Sequence, residues 1–234
     1  MKLAAVAVIA TAMVAPSAAQ GATLTVDPVQ RCYRETETVL LPGSGFTPNT
    51  QVDFTRDGTP VPANPPIVSD AVGNISPQLT LPGLFRGQRT LTYTATDTAN
   101  TANIGTLGLL VTATDVTLTP KQGRPNRLLT ISGRGFFGGG RRLWAHVVRG
   151  SRGATASAAR NVRLGRITGA CKKSNARKRL FPANAAPGVY TVQFDAFRRY
   201  KRSREVKALY SVTIFRTVRP PAAAAASSVW RRIG

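Results

Sequence analysis

Histidine and cysteine are nearly missing from this 234-residue chain, which has one His and two Cys. So few soft ligands exclude a zinc cluster built from His and Cys alone. They also leave His146 as the one candidate base for a serine or cysteine hydrolase. Acids are scarce, with ten Asp and Glu against 32 Lys and Arg. No apolar run after residue 14 is long enough to span a bilayer as a helix. No segment keeps a sustained 3.6-residue period, which argues against a helical bundle. Hydrophobic residues still make up 42% of the chain, ample for packed cores and too many for wholesale disorder. The length allows one or two small domains.

The N-terminus reads as an export signal. Met1-Lys2 gives a short positive start, Leu3 to Val14 is apolar or small, and Pro16 breaks the run. Ser17-Ala18-Ala19 supplies the small residues a signal peptidase reads, placing cleavage after Ala19. The apolar run is shorter than the roughly 20 residues of a membrane span. The expected mature protein is therefore secreted, extracellular or wall-associated, with no integral membrane segment.

The middle of the chain repeats. A shift of 90 residues places Gly43-Ser44-Gly45-Phe46 on Gly133-Arg134-Gly135-Phe136, and Phe54 on Trp144. Further on the register drifts to 101, where Leu91, Tyr93 and Ala95 meet Val192, Phe194 and Ala196. The extra residues fall around Gly150 to Arg160, a small and polar insert. The expected organisation is a leader at 1–19, one unit at 20–112, a second at 113–217 and a low-complexity tail at 218–234.

Each copy is punctuated as β structure. In the first, strand-like runs begin at Thr23, Thr38, Gln51, Ile75, Thr90 and Leu107. In the second they begin at Val116, Leu128, Leu143, Val162, Val189 and Leu209. Pro42-Gly43, Asp57-Gly58, Gly73-Asn74 and Pro82-Gly83 separate the runs of the first copy. Such a density of short strands implies two tandem immunoglobulin-like Greek-key β-sandwiches, an all-β fold.

The turns Gly43-Ser-Gly-Phe-Thr-Pro and Ser69-Asp-Ala-Val-Gly-Asn-Ile-Ser carry a resemblance. Over residues 22 to 216 the chain resembles tandem bacterial immunoglobulin-like (IPT/TIG-like) domains of secreted actinobacterial proteins. Most members have no known function, so the resemblance implies a fold. Chromophore carriers of the neocarzinostatin type share similar glycine turns, but their paired intradomain disulfides are missing here. Antibody-type domains fit poorly, because neither copy has cysteines on its second and sixth strands.

Outside the cell an even cysteine count suggests a bridge. Cys32 falls between the first two strands of copy one and Cys171 late in copy two. In a sandwich of this topology both loops face the junction left by the two-residue link Ala113-Thr114. A Cys32–Cys171 bridge fixing the angle between the copies is expected, with free thiols or an intermolecular bond as the alternatives.

Charge is concentrated in the second copy. Residues 20 to 112 carry a net −2, whereas residues 113 to 234 carry +23. The basic residues cluster at Arg141-Arg142, at Lys172-Lys173 with Arg177-Lys178-Arg179, and at Arg198-Arg199-Tyr200-Lys201-Arg202-Ser203-Arg204. Read as loops of a sandwich, all three groups fall at one pole. Like charge at this density is costly unless an anion or acidic surface offsets it. Arginine's planar fork suits phosphate and carboxylate oxygens, and Tyr200 could stack on a base or sugar ring.

Three partners fit: an anionic envelope polymer or other polyanion, an acidic protein or Glu35 and Glu37 of copy one, or solvent alone. Other chemistry is faint. No Gly-x-Ser-x-Gly elbow or phosphate-cradling Gly-Lys-Ser ending occurs. Asp53, Asp57 and Asp70 lack EF-hand spacing. His146 follows Trp144 by two on one strand face, which favours a buried histidine over a base. The tail, with Pro220-Pro221, five alanines and Trp230-Arg231-Arg232, reads as a frayed terminus. The expected function is non-catalytic binding or adhesion at the cell surface, without cofactor or metal. The alternatives are a spacer or docking module in a surface assembly and, distantly, a hydrolase using His146.

Overall fold

The structure is a computed structural model that describes residues 21–149, 160–216 and 226–232. The expected leader, the insert at 150–159 and the alanines before residue 226 lie outside the described residues. The described chain is all-β, with no helix.

In the first half, β1 (Thr23–Leu24) pairs with β4 (Gly43–Ser44), and β3 (Thr38–Leu40) with β7 (Gln78–Thr80). The bridges Asp27–Leu40 and Gly43–Ile75 join these pairs into one face. The second face is a five-stranded sheet in the order β2 (Tyr33–Arg34), β9 (Ile104–Thr112), β8 (Gln88–Asp97), β5 (Val52–Arg56), β6 (Thr59–Pro60). Leu24, Val39 and Leu79 from the first face meet Phe54, Leu91, Tyr93 and Val111 from the second in one buried cluster. Alternation makes this possible: Leu91, Tyr93 and Ala95 of β8 point inward while the threonines between them point away from that core.

The second half repeats the plan around its own cluster. One face is β10 (Asp115–Thr119), β12 (Leu129–Arg134) and β15 (Ser174–Lys178). The other runs β11 (Gln122–Gly123), β18 (Ala226–Arg232), β17 (Ala208–Arg216), β16 (Gly188–Asp195), β13 (Arg142–Arg149), β14 (Arg160–Arg166). Val192, Phe194 and Ala196 are buried, as their counterparts Leu91, Tyr93 and Ala95 are. The glycine motif also recurs in three dimensions. A Cβ on Gly43 would lie 3.0 Å from the Phe46 ring, and one on Gly133 would lie 2.9 Å from Phe136. Gly45 and Gly135 both turn with positive φ, 83° and 76°.

Three sequence expectations need correction. Trp144 does not take the core position of Phe54, because Leu143, Ala145 and Val147 face the core instead. The segment from Phe136 to Leu143 is one residue longer than that from Phe46 to Val52, which moves the strand by one and turns Trp144 to the outer face. Second, Arg177 and Lys178 are not in a connection. They belong to β15, opposite Thr130 and Leu129. Third, residues 226–232 are not a frayed terminus. They form β18, which pairs along β17 from Tyr210↔Arg232 to Arg216↔Ala226 and separates it from β11. In the first half, β2 instead pairs directly with β9, in parallel. Trp230 of β18 is buried, with its ring centroid 5.6 Å from that of Phe181.

The two halves meet through a dense joint. Cys32 and Cys171 form a disulfide with an S–S distance of 2.07 Å. Glu35 accepts from Thr114 N at 2.7 Å and from Leu84 N at 2.8 Å, clamping the link to the first half. Asp115 accepts from Gly87 N at 2.8 Å, and Arg232 donates to Phe85 O at 2.9 Å. Gly135 presses its α-carbon on the link, where a Cβ would meet Ala113 O at 2.3 Å.

Candidate functional site

Strand pairing fixes where the basic groups go. Gly133↔Ser174, Trp144↔Asp195 and Asp115↔Arg134 place the turn before β13, the turn before β15 and the β16–β17 loop at one end of the second half. Arg141, Arg142, Lys172, Lys173, Arg198, Arg199, Tyr200, Lys201, Arg202 and Arg204 therefore share that end. Arg177, Lys178 and Arg179 lead away from it, along and beyond β15. The same end carries the start of β10, so it abuts the first half rather than standing free.

Glu35 and Glu37 do not receive the basic loops. Glu37 accepts from Arg34 N at 2.9 Å and Gln30 Nε2 at 3.0 Å, and Glu35 is spent on the link. The ion pair across the joint has the opposite sense: Arg34 of the first half meets Glu205 of the second at 2.5 Å. A cavity of about 890 Å³ opens beside this pair, lined in part by Thr114, Gln193, Tyr200, Arg202 and Lys207.

Beneath the β16–β17 loop lies a polar network centred on a buried histidine. On the outer face of β13, His146 stands opposite Asn161 of β14 and Gln193 of β16. It has no solvent exposure. Its Nδ1 lies 2.6 Å from Asn161 Oδ1 and its Nε2 3.1 Å from Asp195 Oδ1. Asp195 also accepts from Gln193 Nε2 at 2.7 Å and Phe197 N at 2.9 Å. Gln193 reaches on to Lys201 O, and the Tyr200 ring lies 5.8 Å from the imidazole. Burial disfavours the imidazolium, but the bonds to Asp195 and Asn161 and the charge of Asp195 outweigh it, so the pKa lies above 6.5. Both ring nitrogens face acceptors, the arrangement an imidazolium satisfies. His146 is thus a buried pin for the loop, and neither nitrogen is open to a substrate.

Next to this pin the sheet surface is open. Arg142 and Trp144 of β13, Asn161 and Arg163 of β14, and Arg198 and Arg199 of the loop line a groove of about 680 Å³. Register explains the gathering, since Trp144 stands directly opposite Arg163 on the outer face. None of these arginines has a carboxylate partner among the described residues. Arg142 is held below the usual arginine value by lost solvent and by repulsion from Arg163 and Arg166. Trp144, Asn161 and Arg163 were not singled out as ligand-binding from sequence, because their meeting depends on the β13–β14 register.

Several other candidates have structural duties. Arg204 stacks 3.7 Å from the Phe197 ring centroid, and Lys207 donates to Arg202 O at 2.5 Å. Asp57 pairs with Arg89, Asp70 caps its own turn through Val72 N and Asn74 N, and Asp53 accepts from Gln51. Among the described residues no three acids, histidines or cysteines gather as a metal site.

No family model and no curated protein matches the chain. Among solved structures it is similar to a Salmonella alpha-2-macroglobulin mutant, at 16% identity over 86% of this chain and 16% of that one, with a TM-score of 0.28. It is also similar to fibronectin(III)-like modules of Clostridium thermocellum CbhA, at 14% identity over 89% and 92% of the two chains, with a TM-score of 0.25. A DUF3823 family protein from Bacteroides ovatus gives 10% identity over 80% and 89%, with a TM-score of 0.20. The fold therefore rests on its own strand pairing.

Proposed function

We propose that this is a secreted or cell-surface, non-catalytic binding protein whose second half holds an anionic envelope polymer. The observation that carries this reading is the groove of Arg142, Arg163, Arg198 and Arg199, four cations gathered without an acid among them. An anion in the groove relieves repulsion that folding alone leaves in place. A bridged cysteine pair supports an oxidising compartment, and the sealed imidazole supports a role without catalysis. Membership of the IPT/TIG-like group belongs to the same reading, on the turn motifs alone. The bridged, clamped joint favours a second role beside binding, that of a stiff spacer in a surface assembly.

The test is a salt series on the whole chain with polyphosphate, polygalacturonate and duplex DNA as probes. Log K falls linearly with log salt, by roughly 0.9 per phosphate contacted on DNA. Reversing Arg198 and Arg199 to Glu lowers both affinity and slope. Absence of binding to any of the three at about 50 mM salt would overturn the proposal.

A further inference from the structure

The groove holds more than charge. Among the described residues Trp144 is its sole aromatic lining residue, and it is half-buried rather than sealed in the core. A large apolar ring left partly open among arginines offers a stacking face. Asn161 adds direction. Its Oδ1 is taken by His146, so its amide N–H₂ is the end left for the groove. Arginine N–H groups, the indole N–H and this amide are all donors. Every polar side chain lining the groove among the described residues therefore donates, once the bond to His146 is counted.

We infer that the groove binds one anionic sugar unit of a polysaccharide, with the pyranose ring on Trp144 and its carboxylate or phosphate on the arginines. The amide of Asn161 donates to a ring hydroxyl. This inference rests on the polyanion reading above and names the ligand class for that site. A donor-only set of side chains matches hydroxyl and oxyanion lone pairs, whereas nucleic-acid base edges mix donors with acceptors. Single-stranded nucleic acid also runs over successive aromatic platforms, and this groove has one.

Four probes separate the cases on the intact protein: oligogalacturonate, a phosphorylated mannan, inorganic polyphosphate and oligo-dT, matched in charge. Tryptophan emission provides the readout, since the second tryptophan, Trp230, is buried. One or both saccharides should shift the emission and bind more tightly than polyphosphate. Which of the two does so tells carboxylate from phosphate. Trp144→Leu should weaken the saccharide roughly tenfold and leave polyphosphate unchanged. Trp144→Phe, which keeps a ring, should stay within about threefold of wild type and guards against a misfolded leucine variant. Equal binding of all four probes, insensitive to Trp144→Leu, would overturn the saccharide and leave the polyanion reading standing. Tighter, Trp144-dependent binding of oligo-dT would replace the saccharide with single-stranded nucleic acid. Failure of every probe would overturn both.

Discussion

Raising the pH through the titration of His146 should loosen the second half, and the size of the effect follows from the network around it. The imidazole has no exposure, and its two nitrogens face Asn161 Oδ1 and Asp195 Oδ1. Its pKa in the folded chain lies above 6.5, so its contribution to stability is complete below about pH 6.5 and is lost as pH rises through the folded value. Between those points stability should fall by about 1.4 kcal/mol per pH unit, the linkage slope for one proton. Neutral imidazole has one N–H, so one of the two acceptors then loses its donor. His146→Leu removes the titration and leaves the Asp195 carboxylate buried without its cation, at a cost of about 3 kcal/mol. The assay is urea unfolding by far-UV circular dichroism between about pH 5 and pH 9, for both proteins. Assignment is clean, because this is the single histidine and both cysteines are bridged. Nitrogen-15 correlation spectra of the one imidazole give its folded pKa directly. Parallel pH curves for wild type and His146→Leu would refute the reasoning, as would an imidazole that titrates below 6.5.

Two further outcomes test the joint. Replacing Cys32 and Cys171 together by Ser opens a loop spanning 139 residues, whose closure is worth about 5 kcal/mol in the chain-entropy model. The urea midpoint should drop, and the unreduced parent should show no reactive thiol. Gly135→Ala combines a φ of 76° with a Cβ 2.3 Å from Ala113 O, and should cost about 3 kcal/mol. Gly58→Ala, at a φ of 78° but with open space around it, should cost about 1 kcal/mol in the same urea series.

How far the sequence reaches depends on how local each signal is. The Gly-x-Gly-Phe repeat is local, since the turn, the positive φ and the ring over the glycine all lie within four residues. It is legible without a partner strand. The bridge was legible because it needs only the order of strands and a short link. β15 was not, since Ser-Asn-Ala-Arg-Lys offers Ala176 as its one apolar side chain and owes its strand state to pairing with β12. β18 hid for a related reason. Ala-Ser-Ser-Val-Trp-Arg-Arg has low β propensity at its start, and its place is set by the edges of β17 and β11. The groove depends on register, and one added residue before Leu143 decides whether Trp144 joins the core or the ligand face. A basic cluster can be counted from sequence; which arginines flank an open ring cannot.

A chain pulled from points outside its bridged loop, one before Cys32 and one after Cys171, would carry tension along its covalent path. In this molecule that path has a short cut. Force entering at Gly21 reaches Cys32, crosses to Cys171, and leaves toward the β17–β18 hairpin without passing through the strands from β2 to β14. Those strands span most of the 139-residue separation, a contour length of about 480 Å that tension cannot pay out while the bond is intact. The groove sits on β13, β14 and the β16–β17 loop, so two of its three walls lie inside the shielded stretch. Under load the ligand would be held by strands that the pull does not run through. Cutting one covalent bond would turn a short, stiff strut into a long tether.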